Sequence, residues 1–307
     1  MKPRLPDSLR VLERGWLSSN NVVAIEGETA TLVDSGYVGH AAQTEALVRG
    51  ALGGRQLARL INTHSHSDHI GGNAAMQRAF GCEIVIPSGI EAHIAEWDEE
   101  ALLLTPARQR ADRFRHDAAI RPGEEFALGG LAWRAWHAPG HDMEALVFHC
   151  EQERLLISGD ALWQDGFGIV FADVLGSGGG LAATRTTLEM LGRLAVDTVI
   201  PGHGAVFTDV DAALARAWKR LAAFEEDPAR MAKNAIKACF IFNLLDLQRL
   251  PVADLEGYVA GVPFFAEVGA RTLGMQTDAL SRWLYDELLK AKAIAVADGF
   301  ILPTIAA

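Results

Sequence analysis

Three cysteines in 307 residues, Cys82, Cys150 and Cys239, stand far apart and in no C-x-x-C pair. That scarcity excludes a disulfide framework and a zinc ribbon and leaves buried free thiols as the expectation. No apolar run approaches the roughly 18 residues of a membrane span. The N-terminus, "MKPRLPDSLRVLERGWLSSN", puts prolines and charges where a secretory leader has an apolar stretch. A cytoplasmic protein with no membrane partner is expected. Basic excess is also lacking: 28 Lys and Arg face 39 Asp and Glu, for a formal net charge of −11. Such a balance offers no global field to phosphate backbones. No G-x-S-x-G elbow occurs, because Leu175 precedes "GSGGG" at 176–180, and this removes the usual signature of a serine hydrolase.

Half of the residues are hydrophobic and 22% are charged, so a chain of this length buries a large core, as one big domain or one domain plus a smaller one. "NVVAIEGETATLVD" (21–34) reads as a hairpin, "HAAQTEALVRGAL" (40–52) has helical spacing, and "LARLINT" (57–63) suits a buried strand. A helix ending at Gly81 and a strand "EIVIP" (83–87) follow. Residues 91–115 are charged and mixed, helical with a break at Pro106, and nothing catalytic is expected there. From Glu125 onward "FALGG", "LAWRAWHA", "ALVFHC" and "RLLISGD" crowd into a second sheet. Helical segments then flank "DTVIPGHG". Two blocks of strands and helices give a layered α/β fold. Asp227 and Pro228 mark a boundary between residues 1–226 and 227–307. The second part shows three helix-like segments and a terminal hairpin around an Asp-Gly turn, a winged-helix-like module.

"THSHSDHIGG" (63–72) holds three histidines and an aspartate within six positions. On extended backbone His64 and His66 project to the same side, where two imidazoles can meet one metal ion. Asp68 and His69 add a carboxylate and an imidazole for a second cation. Ser65 and Ser67 then face away and bond the backbone, which argues against a compressed serine triad. Three more ligand types stand beside glycines at the ends of β-like runs: His141 in "APGHD", Asp160 in "LISGDA" and His203 in "IPGHG".

Taken in this order, "VDSG", H-x-H-x-D-H, "PGH", "SGD" and "GH" resemble the motifs of the metallo-β-lactamase superfamily of hydrolases, from about Asn21 to Phe207. The resemblance implies a four-layer αββα sandwich with the metal site at one edge between the sheets. It assigns His64, His66 and His141 to a first metal, Asp68, His69 and His203 to a second, and Asp160 to a bridge between them. It also implies that Asp34 supports the metal loop from behind. Two divalent cations, zinc first and iron or manganese as alternatives, are the expected cofactors.

Two such ions roughly 3.5 to 4 Å apart share a water, lower its pKa towards about 7 and polarise a carbonyl. Asp68 is the candidate to orient that hydroxide or move its proton. The glycine-rich stretch 161–180 follows Asp160 directly and supplies Trp163 and Phe167 as candidate substrate contacts. A small-molecule thioester, ester or lactone is the leading substrate class, by resemblance to the glyoxalase II-like branch of broad zinc hydrolases. After "APGH" the chain reads "DMEALVF", without the second glycine and histidine of the repeated "PGHTPGH" form, so glutathione recognition has no support. A mono-iron persulfide dioxygenase shares these ligand types and is the first alternative. The second is a metal-dependent ribonuclease or nucleic-acid-binding protein. Against it, the tail from Glu225 to Ala307 has 8 basic and 11 acidic residues, where a phosphate-binding module should be basic. The tail is expected to pack on the hydrolase domain, line its pocket or support a homodimer.

Overall fold

The computed structural model describes residues 4–305, and its strands obey the alternation of apolar side chains. Leu146, Phe148, Cys150, Leu155 and Ile157 point into one core, while Val147 and Leu156 point into another, because successive strand residues face opposite sides. Burial on both faces is why these segments read as unbroken apolar runs.

The first sheet holds six strands in chain order: β1 (Leu9–Leu12), β2 (Asn21–Glu26), β3 (Thr29–Val33), β4 (Gln56–Ile61), β5 (Glu83–Pro87) and β6 (Ala118–Ile120). Its first three strands are antiparallel, and β3 to β6 run parallel. The second sheet comprises β7 (Glu125–Leu128), β8 (Leu131–His137), β9 (Leu146–Cys150), β10 (Leu155–Gly159) and β11 (Thr198–Pro201), ordered β11-β10-β9-β8-β7. Only the β10–β11 pair in it is parallel. Val22, Ile61, Trp133, Phe148 and Ile200 fill the space between the sheets. Helices Ala41–Leu52 and Asn73–Phe80 cover the outer face of the first sheet, and Gly180–Leu191, Val210–Glu226 and Pro228–Leu247 cover that of the second. The fold is a four-layer αββα sandwich.

Asp227 caps the Pro228–Leu247 helix by accepting from the Arg230 N–H at 3.1 Å. Helices Leu255–Ala260, Pro263–Val268 and Thr277–Lys290 follow, with a small sheet of β12 (Leu250–Pro251), β13 (Ile294–Ala297) and β14 (Phe300–Pro303). Asp298 (φ 51°) and Gly299 (φ 78°) make the expected turn between the last two strands, two positive φ angles in a row being the type I′ signature. Phe240, Phe264, Leu284 and Ile301 join the hydrophobic cluster that contains Val147, Leu156 and Val199 of the second sheet. The tail and the sandwich therefore share one core.

Several elements differ from the expectation. The Pro263–Val268 helix is additional, and it buries Phe264 and Phe265. Strands β1 and β6 complete the first sheet from segments whose charges hid them. Pro106 lies inside a short helix, Leu104–Ala107, rather than breaking one. Among the described residues no helix is long and apolar enough to cross a membrane, and all three cysteines are buried and free.

Candidate metal centre

Strand ends deliver the candidate ligands to one rim of the sandwich. β4 runs out into the 62–69 loop, the β8–β9 turn carries His141, and β10 and β11 end just before Asp160 and His203. Backbone hydrogen bonds fasten the loops together: Leu146 N–H to Thr63 O (2.8 Å), Gly202 N–H to Gly159 O (2.7 Å) and Asn20 N–H to Gly202 O (2.7 Å). The Asn20 side-chain amide also donates to Pro201 O (3.0 Å) and Gly204 O (2.7 Å).

His66 is extended (φ −69°, ψ 151°), and Ser67–Ile70 then makes a single helical turn. Extended backbone brings the His64 and His66 rings to 4.8 Å between centroids, while the turn swings Asp68 and His69 towards a second group. Ligand atoms of His64, His66 and His141 lie within 4.8 Å of one another, and so do those of Asp68, His69, Asp160 and His203. All seven metal-ligand candidates from the sequence meet here. Asp160 faces both groups, with Oδ2 3.3 Å from His141 Nε2 and Oδ1 3.4 Å from His69 Nε2.

Hydrogen bonds on the outer side of the rings set which nitrogen looks inward. His69 Nδ1–H donates to Asp34 Oδ2 (2.8 Å), His141 Nδ1–H donates to Ile169 O (2.7 Å), and His64 Nδ1 lies 3.0 Å from Thr63 Oγ1. Nε2 of each of these rings is left to the cluster, where His66 presents Nδ1 at 2.7 Å from His141 Nε2. His64 Nε2 and His69 Nε2 are buried with no hydrogen-bond partner, a state that costs about 1–3 kcal/mol per group. Orphaned, convergent imidazole nitrogens and carboxylates are a donor set that fits divalent cations.

Electrostatics agree with that fit. Burial, reinforced by His141, pushes His66 down to about 4, and burial with His69 and His66 holds His64 well below the usual histidine range. Both are neutral donors at pH 7. Burial also opposes a charge on His69, but Asp34, Asp160 and Asp68 outweigh it and raise that imidazole well above its ordinary value. Three carboxylates around one ring mark a demand for positive charge.

Asp34 sits at φ 56° at the end of β3, a left-handed conformation that aspartate tolerates better than most residues. Its carboxylate accepts from Thr63 N–H (2.9 Å), Thr63 Oγ1–H (2.8 Å) and His69. Asp34→Ala is expected to weaken metal binding by about 10- to 100-fold in competition against a chromophoric chelator. An unchanged constant would reduce Asp34 to a turn former.

The serines differ from the expectation. Ser65 donates through N–H (3.0 Å) and Oγ–H (2.6 Å) to Asp142 Oδ2, and Ser67 Oγ–H donates to Gln109 Oε1 (2.6 Å). Both bond side chains rather than backbone, because the adjoining loops press against this turn.

Residues 14–203, more than half of the chain, match the Metallo-beta-lactamase superfamily. The chain belongs to that superfamily. Among curated relatives, a hydroxyacylglutathione hydrolase from Methylococcus capsulatus is 33% identical over 121 residues, which covers 38% of this chain and 39% of that protein. The match thus spans about two fifths of that relative. A hydroxyacylglutathione hydrolase from Polaromonas sp. is 29% identical over 211 residues, covering 65% of this chain and 71% of that protein. In fold, this superfamily member is similar to a metallo-beta-lactamase family protein from Thermus thermophilus, with a TM-score of 0.59 and 18% identity over 98% of this chain and all of that one.

The candidate metal centre of this metallo-beta-lactamase fold opens into a cavity of about 440 Å³, walled by Trp163, Ile169 and Phe171 and by one face of the Pro228–Leu247 helix. Trp163 Nε1–H donates to Asp160 Oδ1 (3.1 Å). Phe167 does not line the cavity: it is 1% exposed and packs in the core against Phe224. An aromatic residue in a glycine-rich loop serves core and pocket alike, and here the core takes it. Two cavity residues carried little or no mark in the sequence. Trp16, 47% exposed, stacks on His203 with centroids 5.3 Å apart and planes 8° apart. Gln109 arrives from the segment where nothing functional was expected. A tryptophan in an otherwise polar, charged N-terminus was the one signal for the first, and the second had none.

Proposed function

We propose that the protein is a metal-dependent hydrolase, zinc first, that adds water to a thioester, ester or lactone carbonyl. The observation that carries this reading is Asp160 facing two donor sets at the head of a largely apolar cavity. The curated relatives, named hydroxyacylglutathione hydrolases, support acyl chemistry as the class. When bound, a pair of divalent ions supplies an acidified water and a Lewis acid for the carbonyl oxygen.

The chain's own residues do the rest. His64, His66 and His141 would hold one ion, and Asp68, His69 and His203 the other, with Asp160 between them. Burial alone would raise the Asp68 carboxyl, but His69 and His203 pull it below the usual range, so it stands ionised and able to orient a water. Its Oδ2 lies 2.9 Å from His203 Nε2, a contact that fixes its direction. Trp163 steadies Asp160 in the same way, and the apolar walls exclude competing water while they accommodate an acyl or aryl group.

Elemental analysis of protein purified without added metal is expected to find about two zinc ions per chain. A screen of thioesters, lactones, aryl esters, phosphodiesters and β-lactams should find turnover in the first three. One iron per chain together with oxygen uptake would replace this reading with a mono-iron persulfide dioxygenase. Turnover confined to phosphodiesters would replace it with a nuclease.

A further inference from the structure

Arg220, on the Val210–Glu226 helix, lines the same cavity. Its guanidinium carbon lies 5.4 Å from the centre of the Phe167 ring and 5.3 Å from that of Phe224. Gly166 (φ +133°) approaches so closely that a Cβ there would stand 2.9 Å from Arg220 Cδ. The side chain is therefore held in place, yet what holds it is aromatic rather than acidic. Its Nε is buried with no hydrogen-bond partner, and burial lowers its pKa with no carboxylate opposing the effect.

Arginines elsewhere on this chain do find acids: Arg110 has Asp246 at 2.6 Å, Arg154 has Asp197 at 2.6 Å and Arg185 has Glu225 at 2.7 Å. Lys237, the other cation lining the cavity, reaches Glu287 only at 3.9 Å. The cavity's acids are Asp68 and Asp160, and both belong to the metal centre. In a chain of net charge −11, Arg220 and Lys237 thus face this cavity with no lining acid outside the candidate metal donors. A desolvated cation without an acceptor carries a free-energy penalty that an anionic ligand relieves. The planar fork of arginine matches a carboxylate or phosphate edge.

We propose that Arg220, assisted by Lys237, binds an anionic group of the substrate. The site would thus take an amphiphilic ester or thioester whose apolar body lies along Ile241, Phe242 and Leu245 of the Pro228–Leu247 helix. That the ligand is an ester rests on the hydrolase reading above, whereas the anion site rests on the cavity alone.

Calorimetric titration of the metal-loaded full chain with octanesulfonate and octanol tests this. Wild type is expected to bind the sulfonate about 10- to 100-fold more tightly than the alcohol, and Arg220→Gln to lose that margin while binding octanol as before. A purely structural Arg220 is read separately by thermal melts of Arg220→Gln and Arg220→Met. Both should melt at or above wild type, because each removes an uncompensated charge. Lower melting of both variants, or equal sulfonate binding by wild type and Arg220→Gln, overturns the proposal. If no ester is hydrolysed but the sulfonate margin disappears in Arg220→Gln, the hydrolase reading falls and the anion site stands. If esters are hydrolysed without any sulfonate preference, the anion site falls and the hydrolase reading stands.

Discussion

Asp160→Ala protein is expected to lose ester turnover by more than about 1,000-fold and to come off the column with roughly one metal equivalent or less. Asp160 is the carboxylate that faces both donor groups, within 3.4 Å of a nitrogen in each. Its loss leaves His69, His141 and His203 without the negative charge that balances bound cations. It also takes the acceptor from Trp163 Nε1–H, 3.1 Å away, and so loosens the cavity wall. The sheets should survive, because Asp160 belongs to the rim and contributes nothing to the apolar cores. Circular dichroism and a cooperative melt check that point. Asp160→Asn separates charge from shape: it keeps the volume and should still fail to hold both ions. Wild-type metal content with activity within about tenfold would remove Asp160 from the role given to it.

Gly202→Ala should do nearly as much damage with a single methyl group. A Cβ at this position would lie 2.2 Å from Asp160 Oδ1, 2.9 Å from His69 Cε1 and 3.1 Å from the Gly159 carbonyl carbon. The first two contacts are side chains of the candidate donor sets, and the third is backbone. Relief by backbone movement is blocked, since Gly202 N–H donates to Gly159 O and Gly202 O accepts from Asn20 N–H, both at 2.7 Å. Overpacking of this kind costs about 1–3 kcal/mol, and here the strain falls on two ligands at once. The expected result is a protein that folds, melts a few degrees lower and binds metal at least about tenfold more weakly. Full metal affinity in this variant would show that the rim is softer than its hydrogen bonds indicate.

The candidate donor cluster was legible because its chemistry is local. His64, His66, Asp68 and His69 crowd one loop, and each remaining ligand sits beside a glycine at a strand end. The sandwich was legible for a related reason: strands such as Leu146–Cys150 are apolar throughout, and helices such as Val210–Glu226 repeat apolar residues at helical spacing. The cavity was not. Trp16, Gln109, Arg220 and Lys237 reach it from four separate segments, and nothing in a linear pattern brings them together. Phe167 looked like a pocket residue because aromatic character alone does not distinguish a wall from a core. The Pro263–Val268 helix did carry a signal, a proline at its first position, but six residues are too few for helical periodicity to register. Strand β1 was hidden by its charges: Arg10 stands between Leu9 and Val11 on an edge strand, where one face meets water.

The three bonds from Asn20 to the 201–204 turn join points 181 to 184 residues apart along the chain. During synthesis these bonds cannot form until the chain has been made as far as Gly204, and closing so long a loop costs entropy. The loop that carries His203 is therefore among the last parts of the rim to be set. Until the two ends of the sandwich meet, the second donor set lacks a member, and a chain emerging during synthesis offers incoming ions at most the first set. Metal uptake would then act as a seal on a completed fold rather than as the nucleus around which it assembles.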